Sequence, residues 1–173
     1  MRVYPADSLA EPLLGFANYE GVGANGIEGF WDAIIRGTKG SLVFEKDSQG
    51  HEIAIGYREF KAAEDGADLV LTLDTAIQFA AEKELRKLVT AQGATGGTIL
   101  VMHVKTGAIL ASASLPTYNP NRFYEVKDTS AFVNPAVSQF WEPGSIFKII
   151  TMAAGLDTGV VGPRSTHNCS GLV

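Results

Sequence analysis

An α+β fold is predicted by three features of the chain: alternating apolar and polar residues broken by turns in the first third, an amphipathic helical pattern from Thr75 to Gly93, and an apolar run that a glycine turn folds back on itself. The alternation is clearest in Ser41-Leu42-Val43-Phe44-Glu45 and His51-Glu52-Ile53-Ala54-Ile55, with Asp47-Ser48-Gln49-Gly50 between them. Such segments predict β-hairpins joined by turns, and residues 1–67 are read as one β-rich domain. From Asp68 the pattern changes. Leu69-Val70-Leu71-Thr72-Leu73 predicts a short strand running into Asp74 or Thr75 as a helix cap, with Gln78 placed to complete a capping box from Thr75. Ile77, Ala81, Leu85 and Leu88 then recur at helical spacing, with Glu82, Lys83, Arg86 and Lys87 between them, until Gly93 ends the helix. A second domain is therefore predicted over 68–173.

Within that domain Gly97 to Val104 and Ala108-Ile109-Leu110-Ala111 predict a tight hairpin, with Gly107 in a left-handed position at its turn. The proline-punctuated stretch Ser114-Leu115-Pro116-Thr117-Tyr118-Asn119-Pro120-Asn121 predicts an ordered loop packed over the domain. Ile146 to Leu156 is apolar on every side apart from the neighbouring Lys148, so it predicts a helix covered all round. The order is strand, helix, hairpin, helix.

The 173 residues, 46% of them hydrophobic, are enough to bury a core. A net charge of -5 and an isoelectric point near 5.2 leave no electrostatic case for nucleic acid, whose phosphates call for a clustered basic face. Cys169 is the sole cysteine, which excludes an intramolecular disulfide and predicts a buried, inert thiol. His51, His103 and His167 are scattered without ligand spacing, and no glycine-rich phosphate loop occurs, so neither a metal nor a cofactor is expected. A membrane span needs roughly 18 apolar residues, more than Ile146 to Leu156 supplies, and the start Met1-Arg2-Val3-Tyr4-Pro5 lacks the build of a signal peptide. Any targeting element is expected outside this chain.

The chemistry concentrates in Trp141-Glu142-Pro143-Gly144-Ser145-Ile146-Phe147-Lys148. A serine hydroxyl becomes a nucleophile when a base takes its proton, and a free lysine amine one helical turn away can be that base. Burial and the positive end of the helix dipole both favour the uncharged amine. The amide of Ser145 at the same helix start could help hold an oxyanion. The spacing by itself is weak, because a chain of this length holds on the order of one Ser-x-x-Lys by chance. In the plainer reading Lys148 snorkels to solvent and Ser145 caps the backbone.

The flanking residues decide between these readings. Glu142 to Lys148 resembles the nucleophile motif of penicillin-binding protein transpeptidases. Arg2-Val3-Tyr4-Pro5 resembles the Arg-x-Tyr-Pro element of the class B members, and Gly26-Ile27-Glu28 with Arg36-Gly37-Thr38-Lys39-Gly40 resembles their Gly-Ile-Glu and Arg-Gly-x-x-Gly stretch. Leu71-Thr72-Leu73-Asp74 with Gln78, Lys105-Thr106-Gly107-Ala108-Ile109-Leu110-Ala111, and Ala113-Ser114-x-Pro116-x-Tyr118-Asn119-Pro120-Asn121 follow in the family's order. Lys105-Thr106-Gly107 spells the family's third catalytic motif, but it precedes the nucleophile and is read as a turn. The second motif, Ser-x-Asn, occurs nowhere in the sequence. The chain is therefore expected to be a fragment truncated at both ends, inactive alone and with part of its apolar surface uncovered.

The resemblance implies a penicillin-binding-protein/β-lactamase-like transpeptidase fold, an antiparallel sheet with helices, over 68–173, preceded by part of a non-catalytic, dimerisation-type pedestal over 1–67. It implies a serine D,D-transpeptidase in which Ser145 attacks the D-Ala-D-Ala bond of a peptidoglycan stem peptide with Lys148 as base. β-Lactams are then covalent inhibitors, and a membrane glycosyltransferase and cell-division proteins are partners. The parent is expected to be anchored in the cytoplasmic membrane by a single upstream helix, with its catalytic domain on the outer side. The start and pedestal spacing resemble the cell-division branch more than the elongation branch. The nearest rival is a class D β-lactamase or a β-lactam sensor, against which residues 1–67 argue. Glu142 is expected to shape the turn before Pro143 rather than to act as an acid near Ser145, and Phe140, Trp141 and Phe147 to lie in core rather than to line a substrate groove. Arg2, Glu28 and Arg36 are expected to organise the smaller domain through ion pairs.

Overall fold

The computed structural model describes residues 2–166 and 168. His167 and Cys169, read above as no metal ligand and as a buried thiol, lie outside the described residues. The chain divides into two compact units, Met1–Gln139 and Phe140–Val173. This division by contacts falls elsewhere than the boundary predicted after residue 67, which concerns division of labour. Its physical basis is an aromatic cluster in which Phe16, Tyr4 and Ala24 pack with Tyr118, Phe123, Ala131 and Phe132. No helix among the described residues is long and apolar enough to cross a membrane.

The first unit begins with short elements: α1 (Glu11–Leu14), the two-residue pair β1 (Phe16–Ala17) and β2 (Gly23–Ala24), α2 (Gly26–Phe30) and α3 (Asp32–Ile35). The predicted run of hairpins is thus reduced here to one residue pair on either side of a turn, with helical turns around it. Gly15 is the residue this packing needs without a side chain: its φ is 76°, and a Cβ would lie 2.2 Å from the Asn25 carbonyl oxygen. A longer hairpin follows in β3 (Ser41–Phe44) and β4 (Arg58–Lys61), paired antiparallel with Leu42 opposite Phe60. The strand predicted at His51–Ile55 does not form. After the turn at Gly50 only an isolated bridge, Lys46 to Glu52, is made. The Ile53 N–H then donates to the Glu45 carbonyl at 3.0 Å, and the Tyr57 N–H to the Glu45 carboxylate at 3.2 Å. Those bonds fold 47–57 into consecutive turns and pass the pairing on to β4.

The core of the first unit is α4 (Thr75–Gln92) laid on the hairpin of β5 (Gly97–Met102) and β6 (Ile109–Leu115). Ala81 and Leu85 of the helix meet Ala111 and Ala113 of β6, with Ile77, Val89, Ile99 and Val101 around them. The alternation along β5 puts Ile99 and Val101 toward the helix and leaves Leu100 and Met102 half exposed on the other face. Gly107 takes a φ of 74° at the hairpin turn, where Lys105 and Thr106 also sit. Gly93, with a φ of 61°, ends α4.

Asp74 is the helix cap, its carboxylate accepting from the N–H groups of Ala76 and Ile77 at 2.9 and 3.0 Å. The predicted capping box between Thr75 and Gln78 does not form, because the Gln78 amide is turned inward onto β6. Leu69–Leu73 is not a strand either. It touches β6 through Thr72 Oγ1, which donates to the Ile109 carbonyl at 2.6 Å, and the Asp74 N–H, which donates to Leu110 at 2.9 Å, too few bonds for a ladder. Asp74→Ala is expected to lower stability by about 1 kcal/mol, with most of the loss seen as fraying of the first turn of α4 in hydrogen exchange.

The first unit ends with the short α5 (Pro135–Ser138), and the second unit holds a 3₁₀ turn, Gly144–Phe147, continuing into α6 (Lys148–Asp157). The all-round cover predicted for this helix is not supplied: Ile149 is 71% exposed, Ile150 60% and Met152 56%. The described residues of this unit amount to one helix and the turns beside it, too little chain to enclose an apolar surface on every side. Within the unit the tail does return, placing Val161 against Gly155, where a Cβ would come within 2.8 Å.

Candidate active site

Ser145 and Lys148 lie at the junction of the 3₁₀ turn and α6, and the backbone there explains why the sequence folds as it does. Pro143 cannot donate a backbone hydrogen bond, and it sits where a helix start leaves N–H groups unpaired anyway. Its carbonyl accepts from the Ile146 N–H at 3.1 Å. Gly144 has a φ of 53°, a left-handed conformation that a residue with a Cβ adopts at a cost. The Lys148 N–H donates to the Ser145 carbonyl, so the two residues are one tight turn apart. Thr151 Oγ1 donates to the Phe147 carbonyl at 3.4 Å, one turn on.

Both side chains are exposed, and no hydrogen bond joins the serine hydroxyl to the lysine amine. The burial predicted around Lys148 is therefore not provided by the described residues. The same holds for the aromatic residues expected in core: Phe140 is fully exposed, Trp141 65% and Phe147 53%. The turn thus brings together the backbone positions of the two predicted residues, while the surroundings that would enclose them are not formed by α6 and its tail.

In the first unit the other motif residues touch one another. Arg2 meets Glu28 through two nitrogens, each 2.9 Å from a carboxylate oxygen, and Arg36 lies 3.4 Å from Asp32. Tyr4 and Asn121 exchange hydrogen bonds: the Tyr4 N–H donates to Asn121 Oδ1 at 2.9 Å, and Asn121 Nδ2 donates to the Tyr4 carbonyl at 2.8 Å. The Tyr4 hydroxyl accepts from the Ala17 N–H at 2.7 Å. Burial pushes the Tyr4 phenol up to about 12, with the Ala17 N–H pulling the other way. Asn119 caps the 3₁₀ turn Pro120–Glu125 and donates to Asp7 at 3.0 Å. The segments resembling class B elements are thus clasped together. The inward role of Gln78 and the burial of Glu11 escaped sequence reading; the only local signal for Glu11 is its place beside Pro12 in the apolar run Leu9 to Leu14.

Comparison with known proteins bears on the family of the chain. The family described as penicillin binding protein transpeptidase domain matches residues 97–173, a stretch that includes the hairpin and the Ser145–Lys148 turn. Penicillin-binding protein PbpB of Mycolicibacterium smegmatis is 34% identical over all 173 residues of this chain, which correspond to 27% of its own length. Peptidoglycan D,D-transpeptidase FtsI of Escherichia coli K12 is 32% identical over 168 residues, 96% of this chain and 28% of its own. Among solved structures, penicillin-binding protein 3 of Mycobacterium tuberculosis in complex with aztreonam superposes with a TM-score of 0.76 at 32% identity, covering 96% of this chain and 34% of that one. The chain thus spans between a quarter and a third of the length of these relatives. It belongs to the penicillin-binding protein family, and carries part of the transpeptidase domain.

Proposed function

We propose that the protein carrying this chain is a class B serine D,D-transpeptidase that cross-links peptidoglycan stem peptides. The observation that carries the proposal is the placement of Ser145 and Lys148 in one turn behind Glu142-Pro143-Gly144, inside the stretch that matches the transpeptidase family. Ser145 Oγ attacks the carbonyl carbon of the penultimate D-alanine while Lys148 Nζ takes its proton. The peptide C–N bond breaks, and the terminal D-alanine leaves with a proton on its nitrogen. An amine of a neighbouring stem then attacks the ester, loses its proton and restores the serine. A β-lactam follows the first half of this course, and its ring opening leaves an acyl group on Ser145.

The same proposal assigns residues 1–67 to a pedestal and 68–173 to the start of the transpeptidase domain. It also assigns the parent an upstream membrane helix, an outward-facing catalytic domain, and a glycosyltransferase and cell-division proteins as partners. Relatives named FtsI and stage V sporulation protein D support the division branch. The deciding assay gives the full-length protein a D-Ala-D-Ala stem peptide and an amine acceptor. Release of free D-alanine with matching cross-linked product is expected. A penicillin adduct that hydrolyses rapidly without transfer would turn the assignment to a lactamase, and a lasting adduct without transfer to a sensor.

A further inference from the structure

Among the described residues Glu11 is the one ionisable carboxyl buried completely, and neither of its oxygens makes a well-formed hydrogen bond, although the hydroxyl and backbone of Tyr118 are close enough to favour the carboxylate. The Tyr118 hydroxyl beside it is also buried and has no well-formed bond to any other group, and Thr117 Oγ1, one residue earlier, is buried and unpartnered. The seat is built from three elements. The Ala10 N–H, one residue before α1, donates to Glu82 Oε1 of α4 at 2.7 Å, and the same oxygen accepts from Gln78 Nε2 at 2.8 Å. Gln78 in turn joins α4 to Ser112 of β6 by two bonds, 2.7 and 3.1 Å long.

We infer that Glu11 is a proton-controlled latch, which holds the segment around α1 on the α4–β6 block while its carboxyl is protonated and releases it when the carboxyl ionises. The groups facing it make the ionised form unwelcome. Glu82 approaches from α4 with a like charge, and the cation nearest to that residue, Arg86, engages Glu82 Oε2 at 3.1 Å. Tyr118 faces it from the loop after β6, with Tyr4 behind. A buried carboxylate without a cation is among the most unfavourable arrangements in a protein interior. Burial accordingly pushes the Glu11 carboxyl up to about 8; Tyr118, through hydroxyl and backbone, works in the opposite direction, and Glu82 adds to the rise. The Tyr118 phenol is raised in turn, by burial first and then by Glu11.

The direction of the effect follows from the two states. With α1 lifted away, Glu11 meets water and titrates near the ordinary glutamate value of about 4.3. Below that value both states are protonated and the latch is fully closed. Between there and about 8 only the open state is ionised, so opening is favoured roughly tenfold more for each pH unit. Above about 8 the closed state ionises as well and the dependence levels off. A rise from pH 6 to pH 8 thus favours opening by roughly fiftyfold, the closed state being half ionised at the upper end.

Amide hydrogen exchange of the full-length protein tests this. Leu13, Leu14 and Gly15, whose N–H groups bond to the carbonyls of Ala10 and Glu11, report on α1. The amides of the β3–β4 hairpin in the same sample supply a reference that cancels base-catalysed exchange. The ratio of reporter to reference protection is expected to fall roughly tenfold per pH unit between about pH 5 and 8 and then level off. In Glu11→Gln, neutral at every pH, the ratio is expected to be flat. In Tyr118→Phe, which removes a hydroxyl that favours the carboxylate, the levelling moves to higher pH. A flat ratio in the wild type overturns the inference, as does a falling ratio in Glu11→Gln. If Glu11→Gln does not fold, the wild type and Tyr118→Phe decide it.

Discussion

Ser145→Ala is expected to abolish covalent capture of penicillin and transfer of stem peptide, lowering both by about 10⁴-fold or more, as loss of a covalent nucleophile does elsewhere. The chemistry leaves no substitute. In the proposed mechanism the acyl-enzyme is an ester to Ser145 Oγ, and among its neighbours in the turn, Gly144, Ile146 and Phe147, none has a side-chain atom able to form one. The backbone of the turn is held by the Pro143 carbonyl and the Ser145 carbonyl, neither of which the substitution touches, and the side chain is exposed. Unfolding is therefore unchanged, and lost labelling cannot be ascribed to a damaged fold. Intact-mass detection of the adduct together with a denaturation curve makes the comparison; an alanine variant that still gains the mass of the drug would refute the assignment. Lys148→Arg serves as the partner test. A guanidinium holds its proton at every accessible pH and cannot act as the base, so labelling should fall although the positive charge is kept.

The second large effect is expected at Gln78→Ala, a loss of about 3 to 5 kcal/mol. Gln78 is 1% exposed, and its amide does for β6 what a neighbouring strand would do. Leu100 of β5 stands opposite Ser112, yet the Ser112 N–H donates outward to Gln78 Oε1, and its carbonyl accepts from Gln78 Nε2. Two positions earlier on the same edge, the Leu110 carbonyl accepts from the Asp74 N–H. The first turn of α4 thus closes an open strand edge with one backbone donor and one side chain that imitates a peptide group. Alanine would orphan the donor and acceptor of Ser112, each at about 1–3 kcal/mol, free Glu82 of a partner and leave a cavity. Denaturant unfolding measures the loss, and a midpoint unchanged from wild type would contradict this account of the edge.

The elements that could be read from sequence are those whose causes are local. The span of α4 follows from a cap, a helical period and a terminal glycine, and the β5–β6 hairpin from two apolar runs around Gly107. Ser145 and Lys148 were visible because a turn is local too, and because the resemblance extends through Glu142-Pro143-Gly144. The misreadings share a different cause. His51–Ile55 alternates as a strand should, but the bonds to Glu45 hand the pairing on to Arg58-Glu59-Phe60-Lys61, whose mostly charged sequence does not announce a strand. Gln78 satisfied the spacing of a capping box, yet a bond to β6, 34 positions away, replaced it. Nothing near Glu11 announces burial, since Tyr118 and Glu82 converge on it from distant parts of the chain. The exposure of α6 fits the expectation that part of the apolar surface of a fragment is uncovered: an apolar period shows that a helix needs cover, not which residues provide it.

The mutual bonds of Tyr4 and Asn121 join residues 117 positions apart, and that separation dictates an order of events during synthesis. The α4–β5–β6 block closes over short loops and can form as soon as Leu115 has left the ribosome. The opening segment has no such option. Phe16 stacks on Phe123 with ring centres 4.4 Å apart, and that ring is translated long after Phe16 itself. At about 5–20 residues per second, the first two dozen residues wait on the order of ten seconds for their other half. During that interval Tyr4 and Phe16 are aromatic side chains of a nascent chain without the partners that later cover them. Slower translation between Ala24 and Tyr118 would lengthen the exposure without altering the finished molecule.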